Sequence, residues 1–175
     1  LFEFKWDGFR SITFINNSDI YIQSRNQKNL TPYFPELKQI KTCFNINNII
    51  LDGEICYFAE NGESRFNILQ RRLQNRNNKK IIRKYPVTFI TWDVLAIDNK
   101  NVYNKPLYKR KQILEKAVIN QNNHLQLSPY KENRGQEIYQ LADKNEFEGI
   151  VAKLKESDYQ FKRSDKWLKI KIWRY

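Results

Sequence analysis

Residues 2–10 read Phe2-Glu3-Phe4-Lys5-Trp6-Asp7-Gly8-Phe9-Arg10. Apolar and charged side chains alternate strictly at the start. Phe2, Phe4 and Trp6 fall on one side of an extended strand, and Glu3, Lys5 and Asp7 on the other. A lysine between two carboxylates, just ahead of a glycine turn, is an odd group to enclose. It becomes intelligible as a nucleophile, whose amine must be positioned and freed of its proton before attack.

The totals set bounds on the rest. A chain of 175 residues suits one domain with a sizeable core. Lys plus Arg number 31 against 19 Asp plus Glu, a net charge of +12 that favours a polyanionic partner over an inert basic surface. Cys43 and Cys56 show neither metal nor redox spacing and suit a reducing, cytoplasmic setting. No run approaches the ~18 apolar residues of a membrane span. The first residue is Leu1, and the candidate strand begins at once, so an upstream segment is expected.

Six strands are expected from alternation and β-branched content: 1–6, 12–22 with a turn at Asn16-Asn17-Ser18-Asp19, 49–58, 87–97, 149–154 and 167–173. Helical periodicity covers 35–44, a segment after Ser64, 107–119 and 137–144. Ser64 is placed to cap a helix with Phe66, Leu69 and Leu73 inward and Arg71, Arg72 and Arg76 on other faces. Strands and helices mix throughout, which predicts an α+β domain with a mainly antiparallel sheet system.

Five further segments carry chemistry. Arg25, in Ser24-Arg25-Asn26, offers a fork of donors at a strand end. In Leu51-Asp52-Gly53-Glu54-Ile55 the two carboxylates share a strand face and suit a ribose hydroxyl or Mg²⁺. Trp92, in Thr91-Trp92-Asp93, presents a π face. Glu148-Gly149-Ile150-Val151-Ala152-Lys153 supplies another acid, although alternation counted from Glu148 puts Lys153 on the opposite face. Lys169 and Lys171, with Arg163 upstream, aim two ammonium groups at one point and suit a phosphate gaining charge. Taken singly, each admits a plainer reading: a turn arginine, an edge pair, a core tryptophan or a solvated lysine pair.

Together and in this order they resemble one family. Lys5-Trp6-Asp7-Gly8-Phe9-Arg10 is similar to the nucleophile motif of the covalent nucleotidyltransferases, the ATP-dependent DNA ligases and their relatives. Phe34-Pro35-Glu36-Leu37 gives the flavour of bacterial non-homologous end-joining ligases. The resemblance implies the nucleotidyltransferase (ATP-grasp-like DNA ligase) fold, with two mainly antiparallel sheets and flanking helices around a nucleotide cleft. It implies residues 1–175 as a single adenylation domain without its N-terminal segment and without the OB-fold domain that follows it in the family. It also implies ATP, Mg²⁺ or Mn²⁺, and nicked double-stranded DNA.

By the same resemblance Lys5 takes AMP as the nucleophile, with Asp7, Lys169 and Lys171 beside it in catalysis. Glu3, Arg10, Arg25, Glu54, Trp92 and Arg163 join Lys5 and the lysine pair in holding the nucleotide. Glu54 and Glu148 serve a metal, and Arg25, Arg71, Arg72 and Arg76 serve DNA. The alternatives are an RNA ligase or a capping guanylyltransferase of the same superfamily, or a non-catalytic nucleic-acid-binding remnant.

Overall fold

A computed structural model of the chain describes residues 1–60 and 62–173. Its strands are β1 (Phe2–Phe4), β2 (Phe9–Asn16), β3 (Ile20–Ser24), β4 (Asn48–Cys56), β5 (Thr88–Ile97), β6 (Lys100–Asn101), β7 (Leu125–Leu127), β8 (Tyr130–Lys131), β9 (Gly149–Lys153) and β10 (Trp167–Lys171). The helices are α1 (Phe66–Gln74), α2 (Lys79–Lys84), α3 (Leu107–Ala117) and α4 (Gly135–Lys144). Pro35–Cys43, expected as an α-helix, winds instead as 3₁₀ turns.

The strands form two sheets. The larger runs β3-β2-β4-β5-β6, with β7 added parallel to β5, and the smaller runs β10-β9-β1-β8, antiparallel throughout. The chain leaves the smaller sheet after β1 and enters the larger one at β2, so residues 5–8 form the seam between them. Gly8 makes that passage possible, because a Cβ there would lie 2.2 Å from the Ile55 carbonyl oxygen. Ser64 does not cap α1. Its hydroxyl donates to the Asp7 carbonyl at 2.7 Å, tying the entry of α1 to the seam.

One face of the larger sheet is dry. Ile22, Leu51, Ile55 and Phe89 pack there with Phe34, with Leu37 and Ile40 of the 3₁₀ turns, with Leu69 of α1 and with Leu114 of α3. Gly53 belongs to this face, since the Phe89 ring and the Ile90 carbonyl occupy the space a side chain would need. On the smaller sheet Phe2, Phe4 and Ile150 meet Ile138 and Ala142 of α4. With both of these faces covered, the polar side chains of the two sheets are left to meet across the seam.

Arg72 corrects the expectation that it serves DNA. It lies three residues from Leu69, on the same helical stripe, and is fully buried. Its Nη1 donates to the carbonyls of Ile82 and Tyr85 at 3.2 and 2.9 Å, and its Nη2 to the Tyr33 carbonyl and Glu36 at 2.9 and 3.0 Å. The side chain clips α1, the end of α2 and the 3₁₀ segments together. Arg71 and Arg76 stay exposed, their guanidinium groups over Tyr85 and Tyr33. Arg72→Ala is therefore expected to cost about 3–5 kcal/mol in urea unfolding, because it strands the buried Glu36 carboxylate and three carbonyls. Arg71→Ala should stay within about 0.5 kcal/mol.

Candidate active site

The seam gathers charge. Lys5 follows β1, and its backbone N–H donates to the Gly149 carbonyl at 2.9 Å, extending the β1–β9 pairing by one residue. Its ammonium group is hydrogen-bonded to Glu148 Oε2, while Lys171 Nζ stands 3.2 Å from Glu148 Oε1. One carboxylate thus bridges two lysines from opposite ends of the smaller sheet's sequence. Partial burial works against the Glu148 charge, but hydrogen bonds from both lysines outweigh it and hold the carboxyl below its usual range. Asp7, next along, is pushed up by burial and by the Glu148 charge.

Register explains the convergence. On β10, Lys169 pairs with Val151 and Lys171 with Gly149, while Glu3 on β1 pairs with Val151. Glu3, Lys5, Val151, Lys153, Lys169 and Lys171 therefore share the face turned away from α4. Lys153 corrects the sequence reading, which placed it on the other face. Glu148 precedes the strand, and Gly149 sits at φ +154° with Ile170 O where a Cβ would be, so alternation cannot be counted through it.

Lys153 is buried. Its ammonium group lies 2.9 Å from Glu3 Oε1, 4.2 Å from the centre of the Trp167 ring and 5.1 Å from that of Trp92. Burial lowers its pKa to about 8; Glu3 opposes that shift, and nearby Lys111 adds to it. Lys111 approaches the same Glu3 oxygen at 2.7 Å, and Ser128 donates to the other at 2.9 Å. Trp6 Nε1 donates in turn to Ser128 Oγ at 3.0 Å. Both Glu3 oxygens are thus engaged inside the protein, and the carboxylate props Lys153 rather than standing free.

The larger sheet contributes the opposite wall. Arg10 on β2 grips Asp52 on β4 through two hydrogen bonds of 3.2 and 2.8 Å, and its guanidinium carbon lies 5.9 Å from the Trp92 ring on β5. Asp52 is fully buried and committed to that pair. Glu54, two residues on, has no such cation in contact among the described residues. Burial, then the charge of Asp52, push its pKa up to about 8, against the pull of Arg10, Lys5 and Lys169. Lys169 is lowered by partial burial and by the positive charges of Lys5, Arg10 and Arg25, and has no carboxylate in contact among the described residues. A cation left without its own anion beside others forms a site for an anion.

Arg163 is exposed on the β9–β10 connection and makes no hydrogen bond or ion pair among the described residues. A cavity of about 250 Å³ opens beside Lys5, lined by Asp7, Ser64 and Glu148. A larger depression of about 290 Å³ lies along the outer side of α3 and gathers none of these groups. Among the described residues no cluster of three or more His, Cys, Asp or Glu is preassembled for a metal. The donor chemistry still fits a divalent cation: Glu54 is a half-buried carboxyl lacking a cation in contact among the described residues, and Glu148 is ionised nearby.

Glu54 generates a pH test. Its folded pKa is raised, so its contribution to stability is complete below about 4.5 and is lost as pH rises toward about 8. Urea unfolding should show Glu54→Gln gaining on the parent protein across that window, with the two converging at acid pH.

Comparison with known proteins accounts for this arrangement. The family model described as "ATP dependent DNA ligase domain" matches residues 1–171. The chain is 30% identical over 173 residues to the multifunctional non-homologous end joining protein LigD of Mycolicibacterium smegmatis, covering 98% of this chain and 21% of that protein. It is 30% identical over 182 residues to the DNA ligase of Thermoplasma volcanium, covering 99% of this chain and 31% of that protein. The solved structure of mycobacterial DNA ligase D complexed with ATP and MES superposes with a TM-score of 0.82 at 25% identity, over 99% of this chain and 54% of that one. The chain spans about a fifth to a third of these two relatives. Two mainly antiparallel sheets meeting at a lysine-bearing seam, with motifs in this order, thus have one assignment: the chain belongs to the ATP-dependent DNA ligase domain family.

Proposed function

We propose that this domain carries the covalent adenylate chemistry of DNA strand sealing. The observation that carries the reading is the Lys5 amine, held at the seam by Glu148 and faced by Lys169, which has no carboxylate in contact among the described residues. In the first step the deprotonated Lys5 Nζ attacks the α-phosphorus of ATP, a P–N bond forms, and pyrophosphate leaves with the electrons of the broken P–O bond. In the second, a 5′-phosphate oxygen at a DNA nick attacks the same phosphorus and Lys5 departs as the amine. In the third, the 3′-hydroxyl attacks the activated 5′-phosphate, AMP leaves, and the strand is closed.

Each residue has a role that follows from its place. Glu148 accepts a hydrogen bond from the Lys5 amine and so fixes where the nitrogen lies before attack. Lys169 and Lys171 bring positive charge to the α-phosphate as its negative charge grows. Trp92 gives the purine a flat partner, and Arg10, oriented by Asp52, reaches the ribose. Arg25 and Arg163 extend the positive field along the phosphates. Glu54 and Glu148 would hold a divalent cation, which supplies charge neutralisation on the phosphate oxygens when bound.

The DNA contact falls to the exposed face of α1 and α2. Arg71, Arg76, Lys79, Lys80, Arg83 and Lys84 lie there in solvent, and Asn78 starts α2 by accepting from the Lys80 and Ile81 amides at 3.1 and 3.2 Å. Such contacts read the backbone and not the sequence, as a sealing enzyme requires.

Incubation with α-labelled ATP should leave label on the parent protein and none on Lys5→Ala, with nicked-duplex binding nearly unchanged. Label retained by the variant would refute the nucleophile. Label from GTP in preference to ATP would favour the guanylyltransferase reading, and sealing confined to RNA the RNA-ligase reading. Arg76→Ala should weaken nicked-duplex binding uniformly across sequences and reduce the slope of log affinity against log salt by about one.

A further inference from the structure

Tyr159 lies in the connection between β9 and β10, 107 positions from Asp52, and no motif points to it. It is buried, and its hydroxyl donates to Asp52 Oδ2 at 2.8 Å while accepting from Arg10 Nη2 at 3.2 Å. Its ring stands edge-on to Trp167 and Phe161, and its backbone N–H donates to the Tyr103 carbonyl at 2.8 Å. Asp52 then receives three hydrogen bonds, from Arg10 Nε, Arg10 Nη2 and Tyr159.

The count of donors gives this contact its meaning. A guanidinium has five N–H donors in one plane. Nε is given to Asp52, and Nη2 reaches both Asp52 and Tyr159. Nη1 alone is left without a partner among the described residues, on a side chain still 42% exposed. Asp52 by itself fixes one edge of the plane. Tyr159 adds a second acceptor at Nη2 and is itself anchored in the smaller sheet's connection, so it sets the guanidinium from across the seam.

We infer that Tyr159 is a positioning residue for the nucleotide. It locks Arg10 with Nη1 as its free edge and binds the β9–β10 connection, which also carries Arg163, to the wall that bears Trp92. This rests on the reading of the seam as an adenylation site, and it adds a residue that acts on the nucleotide only through Arg10.

The test is a double-mutant cycle on the intact protein, read as the KM for ATP in lysine adenylation and as the Kd for AMP. Tyr159→Phe keeps the ring and removes the hydroxyl. It should raise both constants about tenfold, the loss of roughly one hydrogen bond to a charged group, with kcat changed less than threefold. In an Arg10→Lys background the same change should have almost no further effect, because a lysine has no guanidinium plane for Tyr159 to set. A residue serving stability alone would lower the melting temperature and the active fraction while leaving KM and Kd in place. That outcome would overturn the inference, as would additive effects in the cycle. Absence of labelling in the parent protein would instead remove the adenylation reading beneath it, and the AMP arm tells these failures apart.

Discussion

One carboxylate organises the domain's chemistry. Glu148 sits where β9 begins, and from there it holds the amine of Lys5 with one oxygen and approaches Lys171 with the other. Lys5 stands where the chain leaves the smaller sheet for the larger, through a glycine that has no room for a side chain. The hydrophobic work of the fold is done elsewhere, on the face of the larger sheet covered by helices and in the small cluster under α4. Packing therefore settles where the sheets lie, and the ion pairs at the seam settle which groups face each other.

The electrostatics of the seam are deliberately unbalanced. Glu3 is shared by Lys111 and Lys153, which leaves a buried surplus of positive charge behind the pocket. Lys169 adds another unneutralised cation at the opening. Glu54 is the converse, a carboxyl that burial keeps short of ionisation. A protein that lodged nothing here would gain stability by removing these mismatches. A polyanionic nucleotide with a divalent cation would satisfy both signs together, which is the physical argument for ligand-dependent completion of the site.

Much of this was legible in the chain. Strict alternation in residues 2–7 announced β1, and Lys5, Glu54, Trp92, Glu148, Lys169 and Lys171 do meet at one seam. Local rules failed where the answer depended on distant partners. Arg72 looked like a surface charge because arginine is seldom fully buried, and its acceptors lie up to 39 positions away. Lys153 was assigned the wrong face because one glycine in an unusual conformation reset the pleat. Tyr159 and Lys111 carried no signal, since only the tertiary fold brings them to Asp52 and Glu3.

Two amines compete for the central role, and they differ in a way that can be measured. Lys153 has a depressed pKa but is buried behind Glu3, whereas Lys5 stands beside an open cavity. Tandem mass spectrometry of the protein after incubation with ATP and a divalent cation would locate the adenylate directly. AMP is expected on the side-chain nitrogen of Lys5 and on no other lysine. AMP on Lys153, or a site on the α1–α2 face, would contradict it.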